Sequence, residues 1–142
     1  MDEFKLNGQE IKLNTYDGNN LAAIFLDNLW SYCRNKFPTE DYQELGSMIS
    51  GIRGDPSGPE DWEEALVKAT GKPVFRDTQF SLSTIFDSMI ELSLYYHETG
   101  FPFPSLITLL NSMKTDPKKH ELEWELWKNA LYRVLQGEDI IS

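Results

Sequence analysis

The sequence predicts an all-α domain of six helices, built from two three-helix repeats and preceded by a short N-terminal β-hairpin or arm. Three observations predict it. Apolar residues recur at helical spacing from Leu21 onward. Gly and Pro interrupt that pattern at intervals suited to helices of ordinary length. One offset, lengthened once past an Asp-Pro break, lays the second half of the chain on the first.

Ahead of the helices, Phe4, Leu6, Ile11 and Leu13 alternate weakly around Asn7-Gly8, a pair that favours the tight turn of a hairpin. The other reading of this segment is an extended arm lying on the helices. After Tyr16-Asp17-Gly18 the period becomes helical. Asn20 is expected to cap a first helix running to about Lys36, with the stripe Ala22, Phe25, Leu26, Leu29 and Cys33 and with Trp30 beside it. Pro38 stops it. Thr39 is expected to cap a second helix, whose first turn holds Glu40 and Asp41 at the positive end of the dipole. Its stripe is Tyr42, Leu45, Met48, Ile49 and Ile52, and Gly54-Asp55-Pro56 ends it. Pro59 suits the first position of a third helix carrying Trp62, Ala65, Leu66 and Ala69. Gly71 stops that helix.

Residues 72–80 read as a connector. Ser81 or Ser83 then caps a fourth helix with Leu82, Ile85, Phe86, Met89 and Ile90, ending at Gly100. A fifth helix, from Ser105 to Lys114, carries Leu106, Leu109, Leu110 and Met113 before Asp116-Pro117 breaks it. A sixth, from about Lys118 to Gln136, carries Trp124, Trp127, Leu131, Val134 and Leu135. The tail after Gly137 is expected to fray.

The repeat, residues 21–71 against 82–136, pairs Leu21 with Leu82, Ile24 with Ile85, Phe25 with Phe86, Leu45 with Leu106 and Ile52 with Met113. Asp55-Pro56 falls on Asp116-Pro117 at the same offset. Beyond it the offset lengthens by about one helical turn, and Trp62 meets Trp127, Ala65 meets Ala130, and Leu66 meets Leu131. Amphipathic helices align by pattern alone, but shared Asp-Pro breaks with matched Trp downstream are more specific. Two such units would each bury a stripe against the other.

The chain has 142 residues, of which 40% are hydrophobic and 13% aromatic, enough for one domain with a packed core. Its 23 acidic and 13 basic residues give a formal charge of −10. Nucleic acid and anionic membranes are poor partners for such a chain, because both recruit Lys and Arg. A basic protein would be steered towards it, although acidity also serves plain solubility. Cys33 is the single cysteine, so no intrachain disulfide forms, which is compatible with a reducing compartment. The start MDEFKLNGQEIKL lacks an apolar signal core, and no run approaches the roughly 18 apolar residues of a membrane helix. The expected location is cytoplasmic.

No catalytic residue, metal ligand or cofactor site is expected. His97 and His120 have no His or Cys at ligand spacing. His97 falls near a helix end and His120 in an exposed turn. Cys33, on an apolar face, reads as a buried structural thiol. There is no glycine-rich phosphate loop and no Glu-x-x-His pair for a bundle metal site. What remains is clustered acid. Glu60, Asp61, Glu63 and Glu64 open the third helix with Asp55 before them. Glu121, Glu123 and Glu125 open the sixth with Asp116 before them. The plain reading is a pair of solvated first turns favoured by the helix dipole. The sharper one is a surface that receives Lys and Arg from a basic partner. The tryptophans fit the core better than an interface, although interfaces also favour Trp.

The pattern Leu45-Gly46-x-Met48-Ile49-x-x-Ile52, Asp55-Pro56, then Glu60-Asp61-Trp62-x-x-Ala65 returns as Leu106-Ile107-x-Leu109-Leu110-x-x-Met113, Asp116-Pro117, then Trp127-x-x-Ala130-Leu131. Over residues 20–136 it resembles the helical immunity proteins of contact-dependent growth inhibition and related polymorphic toxin systems. The resemblance implies a non-catalytic protein that binds and neutralises a cognate toxin domain, a basic nuclease in many such systems. No binding residues carry over by motif. The alternative is an acidic helical adaptor or regulatory domain unrelated to toxins.

Overall fold

The computed structural model describes residues 5–6, 9–55, 57–100 and 102–142. Two short strands, β1 (Lys5–Leu6) and β2 (Gln9–Glu10), pair antiparallel, with Leu6 opposite Gln9. The hairpin reading of this end is therefore present in its arms, while Phe4, Asn7 and Gly8 lie outside the described residues. A third strand, β3 (Lys12–Asn14), leads directly into α1 (Thr15–Tyr32). There follow α2 (Thr39–Gly54), α3 (Gly58–Thr70), β4 (Gln79–Ser81), α4 (Leu82–Thr99), α5 (Pro104–Thr115) and α6 (Glu121–Leu135). Short 3-10 turns at Arg34–Lys36 and Pro117–His120 follow α1 and precede α6. The fold is all-α, as the periodicity predicts, and of the two readings of its N-terminal end it carries the short hairpin. No helix among the described residues is long and apolar enough to cross a membrane.

Several boundaries differ from expectation, each for a local reason. Asn14 caps α1, not Asn20: its side chain accepts from Asp17 N at 2.8 Å, so the helix absorbs the Asp17-Gly18 pair that read as a turn. Gly18 is buried, and a Cβ there would stand 3.4 Å from both Ile85 and Trp62. Asn20 is left inside the helix and buried. At the other end α1 closes at Tyr32, and the 3-10 turn takes over before Lys36. Thr39 is the first helical residue of α2, not its cap, and makes no capping bond. Asp41 in that first turn instead accepts from Ser105 N at 2.9 Å, holding the start of α5. The end of the connector is a strand: β4 pairs with β3, Leu13 opposite Phe80, both buried. Ser81, closing β4, then caps α4 by accepting from Thr84 N. Gly71 stops α3 in the left-handed region, at φ 69°.

The tail does not fray. Both polar atoms of the Asn20 side chain hold it: Nδ2 donates to Glu138 O at 2.7 Å, and Oδ1 accepts from Ile140 N at 3.0 Å. Tyr16 donates to Asp139 at 2.5 Å, and Arg53 Nε donates to Ile140 O at 3.2 Å. An apolar pair, Ile140-Ile141, packs against the core.

In the apolar core α3 packs chiefly against α4, and α6 against α1. Phe25 and Phe86, paired by the sequence offset, both meet Trp127 edge-on with centroids 5.2 Å apart. Leu21, however, lies well inside α1, whereas its partner by offset, Leu82, is the first residue of α4. Leu135, assigned to the α6 stripe, is exposed, and Glu123 occupies a buried place in that helix instead. Trp30 lies flat on Tyr42, centroids 5.2 Å apart, with the Arg34 guanidinium 5.0 Å from the Tyr42 centroid. That stack requires Gly46, since a Cβ there would come within 2.9 Å of Trp30 Nε1.

Candidate functional site: an acidic corner beside a cleft

The first acidic cluster is built on the start of α3. Pro59 stands in its first turn, and Trp62 is fully buried with its ring N–H donating to Thr15 O at 2.9 Å. This pins α3 to the start of α1 and turns Glu60, Glu63 and Glu64 outward. Glu60, Glu63 and Glu64 are exposed. None of the ion pairs found among the described residues involves them. Asp55, also exposed, accepts from Ser57 N and Ser57 Oγ, and these bonds hold its carboxyl below the ordinary aspartate value. Asp61 faces inward. Burial raises its carboxyl above the usual range, opposed by a hydrogen bond from the Tyr96 hydroxyl.

Beside this corner lies a cleft of about 640 Å³, where the starts of α1 and α3, the end of α2, the connector and the tail meet. Asp55 and Glu63 line it together with Tyr16, Arg53, Phe75 and Ile141. Phe75 is 64% exposed and Tyr16 45%, so the cleft offers aromatic surface next to the carboxylates. Phe75 is held in the connector by its own N–H, which donates to Thr78 Oγ1 at 3.0 Å. Sequence reading missed this cleft, because the connector and tail that complete it have no periodic signal.

The second acidic cluster is different. Glu121 is exposed, but Asp116 pairs with Lys119 at 3.3 Å and Glu125 with Lys128 at 3.2 Å. Glu123 is buried and ion-paired with Lys36. Its placement on a partner-facing surface is therefore corrected: one turn of α6 points this carboxylate inward, against the end of α1. The two corners, expected to be equivalent, are not alike in charge. Lys118 and Lys119 precede the second one, whereas the first begins with Asp55 and Pro59.

The histidines also differ from expectation. His97 Nδ1 accepts from Phe103 N at 3.0 Å and so supports the loop before α5. The His120 side chain is only 14% exposed, not in an exposed turn, and its Nε2 lies 2.7 Å from Ser112 Oγ. Cys33 is buried as expected. Burial pushes its thiol up, the Glu123 charge adds to this, and Lys36 opposes both. Among the described residues, no group of three or more His, Cys, Asp or Glu is placed to hold a metal ion. Comparison of the chain with family models, curated proteins and solved structures finds no match.

Proposed function

We propose that this chain is an immunity protein that neutralises a cognate antibacterial toxin domain by stoichiometric occlusion, acting in the cytoplasm of the cell that makes the toxin. The observation that carries the reading is the arrangement at the start of α3. Three exposed carboxylates, Glu60, Glu63 and Glu64, stand beside a cleft with exposed Phe75 and Tyr16. Carboxylates of this kind speed encounter with a basic partner and fix its orientation. Aromatic surface at the centre of a patch supplies the affinity that charge alone does not. A nuclease domain is basic where it holds nucleic acid, and an acidic inhibitor seated there would exclude the substrate. The resemblance in helix order and punctuation over residues 20–136 points the same way.

Glu60, Glu63 and Glu64 are the principal contacts in this reading, with Asp55 at the edge and Asp61 as support. Glu121, Glu125 and Asp116 form a secondary, partly neutralised patch, and Glu123 contributes to the fold. The test is co-expression with the protein encoded immediately upstream. A neighbour that kills cells alone, and is silenced through a stable one-to-one complex, supports the reading. A harmless or non-binding neighbour removes the toxin and leaves an acidic protein-binding domain.

A further inference from the structure

Three side chains that the acidic corner does not use meet at the other end of the molecule. Ser112 lies on α5, His120 ends the 3-10 turn before α6, and Glu123 lies in the first turn of α6. Ser112 Oγ is 2.7 Å from His120 Nε2, and His120 Nδ1 faces Glu123 Oε2 at 3.9 Å. Those last two atoms are buried and have no hydrogen-bond partner. A buried ring N–H and a buried carboxylate oxygen are both costly to leave unpaired, so the small rotation that joins them is favoured. It puts the imidazole proton on Nδ1 and leaves Nε2 to accept from the serine hydroxyl. The other Glu123 oxygen accepts from Lys36 Nζ, which compensates the buried charge.

Hydroxyl, imidazole and carboxylate stand here in the order that lets a histidine take the proton of an attacking serine. The site is open to small molecules: Ser112 and His120 line a cleft of about 430 Å³. Ser105 and Thr108, on the same face of α5, line it too, as does Lys36. The cleft thus offers hydroxyl groups beside Ser112, while Lys36 Nζ is engaged by Glu123.

We propose that Ser112 is a base-activated nucleophile, with His120 as its general base and Glu123 as a positioning residue, and that the cleft takes small acyl esters. Ser112 Oγ bonds to the ester carbonyl carbon as its proton passes to His120 Nε2. The carbon–oxygen bond to the alcohol breaks and the alcohol leaves with that proton. Water then attacks the acyl-serine by the same route, releasing the acid and restoring Ser112. The site is separate from the acidic corner and independent of toxin binding.

The full chain is treated with a fluorophosphonate and with p-nitrophenyl acetate, and labelling is read by intact-protein and peptide mass spectrometry. The expected result is one adduct, on Ser112, absent in Ser112→Ala. His120→Gln should label about a hundredfold more slowly or worse. Glu123→Gln should slow labelling, and Glu123→Asp, which keeps a carboxylate beside His120 Nδ1, should restore part of the rate. No adduct on the wild-type chain, an adduct on another residue, or labelling indifferent to His120 overturns the proposal. If His120→Gln does not fold, as judged by circular dichroism, the comparison of wild type with Ser112→Ala decides alone.

Discussion

The Tyr96 hydroxyl donates to Asp61 Oδ2 across 3.2 Å, joining the last turns of α4 to the first turn of α3. The bond fixes the corner from which Glu60, Glu63 and Glu64 project. Asp61 lies on the inner side of that turn, and burial raises its carboxyl above the usual range. Burial, then the Asp61 charge, raises the Tyr96 hydroxyl as well. The pair therefore supports the acidic surface from behind and is not part of it.

Tyr96→Phe removes a hydrogen bond that lowers the Asp61 carboxyl. The expected loss of stability is about 1 kcal/mol. The sign with pH follows from linkage. A carboxyl raised on folding binds its proton more readily folded than unfolded, so its contribution is full at low pH and declines as pH rises through the raised value. In the variant that decline should be deeper and displaced to higher pH. Urea midpoints measured from the ordinary carboxylate range up to neutrality check both points.

Lys36→Ala strips the buried Glu123 of its ion-pair partner. Removing one member of a buried pair costs about 3–5 kcal/mol, and the low end is expected because the Lys36 side chain is 39% exposed. Adding Glu123→Gln, which removes the stranded charge, should recover part of the loss. Denaturant unfolding of the two single variants and the double variant measures the coupling.

Asn20→Ala releases the tail. It deletes two hydrogen bonds from a buried side chain and leaves Ile140 N unpaired, for an expected cost of about 1–3 kcal/mol. Amide exchange at residues 138–141 should quicken well before exchange in α1. Acid should loosen the same segment. The Tyr16 hydroxyl holds the Asp139 carboxyl below its ordinary value, so this contribution is present above the usual aspartate range and is lost as pH falls through the lowered value.

Trp127→Ala should be the most damaging single change, at about 3–5 kcal/mol. The ring is fully buried and meets both Phe25 and Phe86 edge-on. Loss of a cooperative urea transition at ordinary temperature is the expected readout.

The helical core was legible because it rests on period. Leu45, Met48, Ile49 and Ile52 on α2, and Leu106, Leu109, Leu110 and Met113 on α5, are buried as their spacing predicts. Boundaries were less legible where two residues compete for one role. Asn14 and Asn20 are both good caps, and the choice went to Asn14 because β3 pairs with β4 and delivers the chain there. Glu123 could not be placed from pattern, because its burial depends on Lys36, far away in sequence. The Ser112–His120 contact was equally hidden, since a 3-10 turn, not a helical repeat, brings the two together. The carboxylates at the start of α3 were visible as a run, but the cleft beside them was not. It is made by Phe75, Ile141 and the chain on either side of them, which carry no periodicity.

The central claim is that Glu60, Glu63 and Glu64 receive a basic partner. It is tested most directly by stopped-flow association with the upstream-encoded protein, comparing wild type with the Glu60→Lys, Glu63→Lys, Glu64→Lys triple variant at low and high salt. The account predicts association slowed about tenfold or more, and a much flatter dependence on salt. An unchanged rate and salt dependence in a folded variant would contradict it.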